Sequence, residues 1–270
     1  MSSILQTLSQ FQSQAPEQVL LAEGGEWHIR ELGHGSTSIV FLPGALGTAD
    51  VFCRTAMALS DYARCITVTP PAWADVTRMA DSLAGLLDRL GLAEAHLVGS
   101  SISGYLLQVF ALRHPTRVAT LFLGNTFADA SLIQARLPLP NDLIRMSAEN
   151  VMREVPSRLV PEAQRRPPDP ELVALMGHLV GSAQSADTLK TRLLMLTLAE
   201  PVAPLELSPE KIILIDDSSD LIIPEKTRQQ LRQRYPKSEH HAIAGGGHYP
   251  MVLQSSAYVA VIRKRLNLNF

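Results

Sequence analysis

Five short apolar runs recur along the chain: Ser38 to Leu42, Ala63 to Thr69, Ala95 to Gly99, Val118 to Gly124 and Lys211 to Asp216. Each is too short for a stable helix and rich in β-branched residues, the pattern of strands covered on both faces. Between them fall segments with helical spacing, in which Val76, Met79, Leu83, Leu86 and Leu90 share one face, as do Leu106, Leu107, Phe110 and Ala111. Strands that alternate with amphipathic helices predict an α/β fold, a mostly parallel sheet with helices on both sides. At 270 residues the chain is read as one large domain carrying an insertion, because two domains and a linker would be cramped.

The beginning departs from that pattern. Gln18 to Ala22 and Glu26 to Leu32 flank Glu23-Gly24-Gly25, which predicts a hairpin and an antiparallel entry to the sheet. Residues before Gln18 are expected to form a loosely attached helix or arm. From about residue 131 to about residue 198 the strand pattern stops, and helical stretches are expected at Asp142 to Arg153, Glu171 to Ser182 and Asp187 to Leu198. The proline- and arginine-rich piece Pro156 to Pro170 is read as an irregular connection. A helical block placed between two core strands is expected to act as a cap over the sheet edge.

Hydrophobic residues make up 46% of the chain and charged residues 19%, with a formal net charge of -2, which gives no bulk positive charge to recruit nucleic acid. The start, Met1-Ser-Ser-Ile-Leu-Gln, is read as lacking the basic and apolar regions of a secretory signal, and no stretch approaches a membrane span. Cys53 and Cys65 are expected to be two buried, reduced thiols, and a cytoplasmic location follows. Neighbours on a strand, His240 and His241 point to opposite faces, and the remaining histidines show no ligand spacing, so neither a metal nor a cofactor is expected.

The chemistry concentrates on Ser101. In His96-Leu-Val-Gly-Ser-Ser101-Ile-Ser-Gly104-Tyr an apolar strand breaks through a tight turn of small residues into a helix, the local shape of a nucleophile elbow. The match is imperfect, since Ser103 stands where the motif has glycine and Gly104 follows one place later. A serine nucleophile needs a base, and His248 follows three glycines near the end of the chain. The base needs an orienting acid. Asp220, beyond the strand that ends at Asp216, is the first candidate, with Asp217 and Asp129 as alternatives. Oxyanion donors are expected from the backbone N–H of Ile102 and from that of Ala45 in the loop Phe41-Leu-Pro-Gly44-Ala45-Leu-Gly47. Trp73, Phe127 and Met251 are weaker candidates for lining a pocket.

These residues resemble the α/β-hydrolase superfamily, and within it the maspardin-like branch. The likeness is carried by Phe41-Leu-Pro-Gly-Ala-Leu-Gly-Thr-Ala-Asp-Val-Phe52, by Arg117-Val-Ala-Thr-Leu-Phe-Leu-Gly-Asn-Thr-Phe-Ala-Asp129, and by Arg234-Tyr-Pro ahead of Gly245-Gly-Gly-His248-Tyr-Pro250. It runs over most of the chain and is weakest in the first 20 residues and the helical block. The superfamily implies an eight-stranded, mostly parallel sheet and a triad whose roles fall on Ser101, Asp220 and His248. The branch also implies a rival role as an adaptor-like binding protein, but its pattern lacks a histidine at the place of His248, and this chain has one. The expected function is hydrolysis of a small-molecule carboxylic ester or thioester. A non-catalytic module with a protein partner, and a lyase or cyclase reusing the pocket, are the alternatives.

Overall fold

The computed structural model describes residues 3–160, 167, 169–180 and 185–268. The sheet begins with β1 (Gln18–Ala22) and β2 (Gly25–Leu32), an antiparallel hairpin joined by Glu23 and Gly24 alone, both at positive φ. Then come β3 (Ser38–Leu42), α2 (Cys53–Leu59), β4 (Arg64–Thr69), α3 (Val76–Arg89), β5 (Ala95–Ser100), α4 (Ile102–Arg113) and β6 (Val118–Gly124), with α1 (Ile4–Gln14) preceding the hairpin. Among the described residues, five α-helices follow before the next strand: α5 (Ser131–Gln134), α6 (Pro140–Arg145), α7 (Ala148–Leu159), α8 (Pro170–Leu179) and α9 (Ala186–Thr197). The chain closes with β7 (Ile212–Asp216), α10 (Glu225–Arg234), β8 (Glu239–Ala242), α11 (Pro250–Leu253) and α12 (Ser255–Leu266). Among the described residues, no helix is long and apolar enough to cross a membrane.

The eight strands lie in the order β1-β2-β4-β3-β5-β6-β7-β8. Pairing is antiparallel from β1 to β2 and from β2 to β4, and parallel from β4 through β3 to β8. The parallel strands therefore present their C-terminal ends, and the loops that leave them, along one edge. Side chains alternate between two cores, as the strand period of two requires. Val40, Leu42, Leu97, Ile212 and Leu214 pack with α3 and α4 on one face, whereas Ile39, Phe41, Val98, Ile213 and Ile215 pack with α1, α2 and α12 on the other. Each face is dry, which explains why the five runs lack the polar alternation of a half-exposed strand.

The N-terminal segment is no loose arm. Ile4, Leu8 and Phe11 are spaced to form one helical stripe, and all three are buried in the second core, with Phe11 at 0% exposure. Ser3 caps the helix in a reciprocal box with Gln6. Glu171 of α8 fastens it further: one carboxylate oxygen accepts the Ile4 N–H at 3.0 Å, and the other takes Arg54 of α2 at 2.7 Å. A short polar-rich segment hid this long-range anchor.

The insertion also differs in detail. The helix expected over Asp142 to Arg153 is two helices, because Met146 adopts an extended conformation and the Ser147 hydroxyl accepts the Asn150 N–H, starting a new helix. Helix α7 then continues to Leu159, into the piece read as irregular; residues 161–166 and 168 of that piece lie outside the described residues. Pro170 occupies the first turn of α8, where its missing N–H costs nothing, and Asp169 caps the exposed N–H groups of Glu171 and Leu172.

Truncating Phe11 to alanine should cost about 3–4 kcal/mol of stability, the range for an aromatic removed from a packed core. Urea denaturation followed by circular dichroism measures it, and a loss near zero would restore the picture of a detached arm.

Candidate active site

β5 is central in the sheet, and Ser101 sits where it turns into α4, with φ 55° and ψ -122°. A non-glycine residue in that region is strained by about 1–3 kcal/mol and persists only when its surroundings over-determine it. Here they do. The Ser101 N–H donates to the Gly124 carbonyl at 2.9 Å; the Ser101 carbonyl accepts the N–H groups of Gly104 and Tyr105 and, at 2.5 Å, the Thr126 hydroxyl. α4 runs so close to β6 that a methyl on Gly104 would lie 2.6 Å from the Thr126 side chain. Ser103, the departure from the motif, does not crowd the elbow: its hydroxyl donates to the Pro43 carbonyl at 2.5 Å and ties the helix to the glycine loop after β3. The Ser101 hydroxyl itself makes no hydrogen bond to a described residue.

Of the three acids considered, the structure brings Asp220 to the histidine. His248 Nδ1 lies 2.9 Å from Asp220 Oδ2, with the imidazole 10% and the carboxylate 0% exposed at the side chain. Burial pushes the Asp220 carboxyl up, but the His248 charge, the hydrogen bonds from His248 and Asn125, and the Ile223 N–H more than offset it and hold the group below the usual carboxylate range. Asp217 has different work. Fully buried, it accepts the N–H and hydroxyl of Ser219 and the N–H groups of Gly246 and Gly247, so it latches the glycine loop that carries His248. Gly247 reaches that latch with φ 55°. Asp129 accepts the Ser131 N–H at 2.8 Å and starts α5.

Asn125 was not among the expected site residues. It is fully buried at the end of β6, with φ 43°, and its Nδ2 donates to Asp220 Oδ2 at 2.8 Å and to the Gly247 carbonyl at 2.9 Å. Both neighbours are acceptors, which fixes the amide orientation and explains why an aspartate would not serve. Its chain neighbours Gly124 and Thr126 are the residues bonded to the Ser101 backbone. One side chain thus spans the interval between the strained serine and the acid–histidine pair. Nothing local in the sequence signalled it; the parallel pairing that sets Gly124 beside Ser100 brings Asn125 to this position.

Gly44 rests on the elbow, close enough that a methyl there would be 3.1 Å from Ser101 Cβ. Ile102, as the first residue of α4, has no intrahelical acceptor for its N–H. Phe127 and Met251 are packed in the two cores, Phe127 stacked on Tyr105 with ring centroids 5.4 Å apart. Trp73 lies under Arg78, 3.6 Å from its guanidinium carbon, and borders a polar cleft of about 840 Å³ between β2, the end of β4 and Thr188. Neither Ser101, Asp220 nor His248 lines that cleft.

Residues 39–263 match the model of the alpha/beta hydrolase family. Maspardin of Danio rerio is 26% identical over 257 residues, covering 91% of this chain and 81% of its own. A protein named as a putative carbamate hydrolase, from Caulobacter vibrioides, is 27% identical over 190 residues, 68% of this chain and 69% of its own. The enol-lactonase of Burkholderia xenovorans superposes with a TM-score of 0.76 at 18% identity, over 93% of this chain and 100% of that one, a likeness of fold.

Asn125→Asp should be destabilising at neutral pH although it is isosteric. It sets a second carboxylate against Asp220, so one of the two must bind a proton far more readily in the folded state than in the unfolded. A folded pKa raised in this way penalises the native state fully above the raised value, and the penalty fades as pH falls from there to the unfolded carboxylate value, below which it is gone. Urea titrations should show a loss of roughly 3 kcal/mol at pH 7 that shrinks toward pH 4. A pH-independent loss would mean that Asn125 fills space and nothing more.

Proposed function

The chain belongs to the alpha/beta hydrolase family, and we propose that within it the protein is a serine hydrolase acting on a carboxylic ester or thioester of a small molecule. The observation that carries the proposal is the Asp220–His248 pair, held by Asn125 to the strand end whose neighbour bears the strained Ser101. In this reading His248 takes the proton of Ser101 as the hydroxyl attacks the carbonyl carbon, and Asp220 holds the imidazole by Nδ1 and stabilises the imidazolium. The N–H groups of Ile102 and Ala45 receive the developing oxyanion. His248 returns its proton to the leaving group, and water resolves the acyl-enzyme by the same route. An unengaged serine hydroxyl is compatible with this sequence, because catalytic hydrogen bonds commonly tighten only when substrate is bound.

The five helices between β6 and β7 are assigned as a cap over this edge, spanning about 131–198. A reducing, cytoplasmic setting is supported by Cys53 and Cys65, which are unpaired and buried, each thiol pushed up to about 12 by burial. The second reading, a binding protein on the same fold, is favoured by the maspardin likeness, which spans most of the chain.

A fluorophosphonate probe separates the two. The wild-type protein should label on Ser101 and hydrolyse p-nitrophenyl esters, while Ser101→Ala should lose label and roughly 10³-fold or more of the turnover with its fold intact. Full esterase activity in Ser101→Ala would overturn the triad. An unlabelled wild type would favour the binding reading, and labelling without turnover of any ester would favour a lyase or cyclase.

A further inference from the structure

Arg192 belongs to α9, inside the helical insertion, yet it is 4% exposed and its head lies in the core beneath the loop that follows β3. A buried guanidinium ordinarily faces a carboxylate. Among the described residues none lies within ion-pair distance of this one, and burial alone acts on its pKa, pushing it down to about 10. It is satisfied by neutral carbonyls instead. Nη1 donates to Gly47 at 2.6 Å and to Ala45 at 3.3 Å, and Nη2 donates to Pro70 at 3.2 Å. Gly44, Ile102 and Ser103 border the same small cavity as the guanidinium.

Those contacts complete a series. A carbonyl and the following N–H are antiparallel in one rigid peptide plane, so fixing the oxygen of one residue aims the N–H of the next. The Pro43 carbonyl is held by the Ser103 hydroxyl, the Gly44 carbonyl by the Gly47 N–H at 3.0 Å, and the Ala45 carbonyl by Arg192. The Pro43 and Ala45 planes are therefore set by α4 and by the insertion, and the Gly44 plane, which aims the Ala45 N–H, is set by Gly47, whose own carbonyl Arg192 holds. One nitrogen, Nη1, holds two carbonyls of this loop while Nη2 of the same rigid plane is tied to the Pro70 carbonyl after β4, so the loop is fixed relative to the sheet, which a single-point ammonium cannot do. Its uncompensated charge also adds positive potential beside a site where negative charge develops.

We propose that Arg192 is a positioning residue that sets the peptide planes of the Ala45–Gly47 segment and makes a competent oxyanion site conditional on the seating of α9 against the sheet edge. The proposal rests on the serine-hydrolase reading for its catalytic consequence, though not for the structural tie. Arg192→Gln removes the charge and the fork; Arg192→Lys keeps the charge and removes the fork. With p-nitrophenyl butyrate, Arg192→Gln should lower kcat by roughly 10²-fold, the scale of a lost oxyanion donor, with KM within about threefold of wild type. Affinity for an alkyl trifluoromethyl ketone, which forms a tetrahedral adduct on the serine, should fall by the same factor while inhibition by butyrate is unchanged. Arg192→Lys should fall in between. Hydrogen exchange in either variant should be faster at residues 44–47 by about tenfold, with β5 and β7 unchanged.

Wild-type kcat and ketone affinity in a folded variant would overturn the proposal. So would a parallel loss of ketone and butyrate binding, which marks general damage. If the wild-type protein neither turns over ester nor binds the ketone, the hydrolase reading fails, and loop exchange alone decides the tie: faster exchange supports it and unchanged exchange refutes it.

Discussion

The close approach of α4 to the ends of β5 and β6 is the constraint from which the candidate site is built. Ser101 is held in a conformation that an L-residue avoids, and the restraint comes from hydrogen bonds to Gly124, the last residue of the neighbouring strand, and to Thr126 just beyond it. Those bonds exist only because Gly104 has no side chain to push the helix away. With the turn fixed, Asn125 falls between Gly124 and Thr126 with its amide directed at Asp220 and Gly247. The acid and the histidine are then located relative to the serine by one continuous set of polar contacts, and no long flexible side chain intervenes.

A division of labour among the acidic residues follows from burial. Asp220 and Asp217 are both enclosed, and each must find donors for its oxygens or pay for desolvation. Asp217 takes backbone N–H groups of the glycine loop, whereas Asp220 spends one oxygen on the Ile222 and Ile223 N–H groups and the other on His248 and Asn125. The first arrangement holds a loop in place. The second holds an imidazole in one orientation, which is the part an orienting acid plays in acyl transfer.

Much of this was legible in the amino-acid order because short-range rules governed it. The hairpin turn at Glu23-Gly24, read one residue longer, the five doubly buried strands and the strand-turn-helix at Ser101 are all local patterns, and the observed bounds of those strands match the expected ones or differ by one residue. The parts that were not legible depend on partners distant in the chain. Helix α1 reads as a short polar-rich segment until Glu171 and the second core are placed around it. Asn125 looks like an ordinary strand-end residue until the parallel register sets it beside residues 95 positions away. Arg192 reads as one more charge in a helical block, and only tertiary packing reveals that its head is dry and bound to carbonyls near position 45. The division of Asp142 to Arg153 into two helices was a local feature that helical periodicity masked, since Ser147 competes for the backbone.

The carboxylate of Glu171, which grips the first turn of α1 and Arg54 of α2 at once, has a consequence for how the chain is made. Helix α1 is made before this anchor, so its contact with α8 waits for a residue 167 positions further along, while its contact with α2 can form early. β7, β8 and α12, which complete that side of the sheet, come later still. Until then the side of α1 that faces α8 stays apolar and uncovered, so the second core closes in two stages set by the order of synthesis.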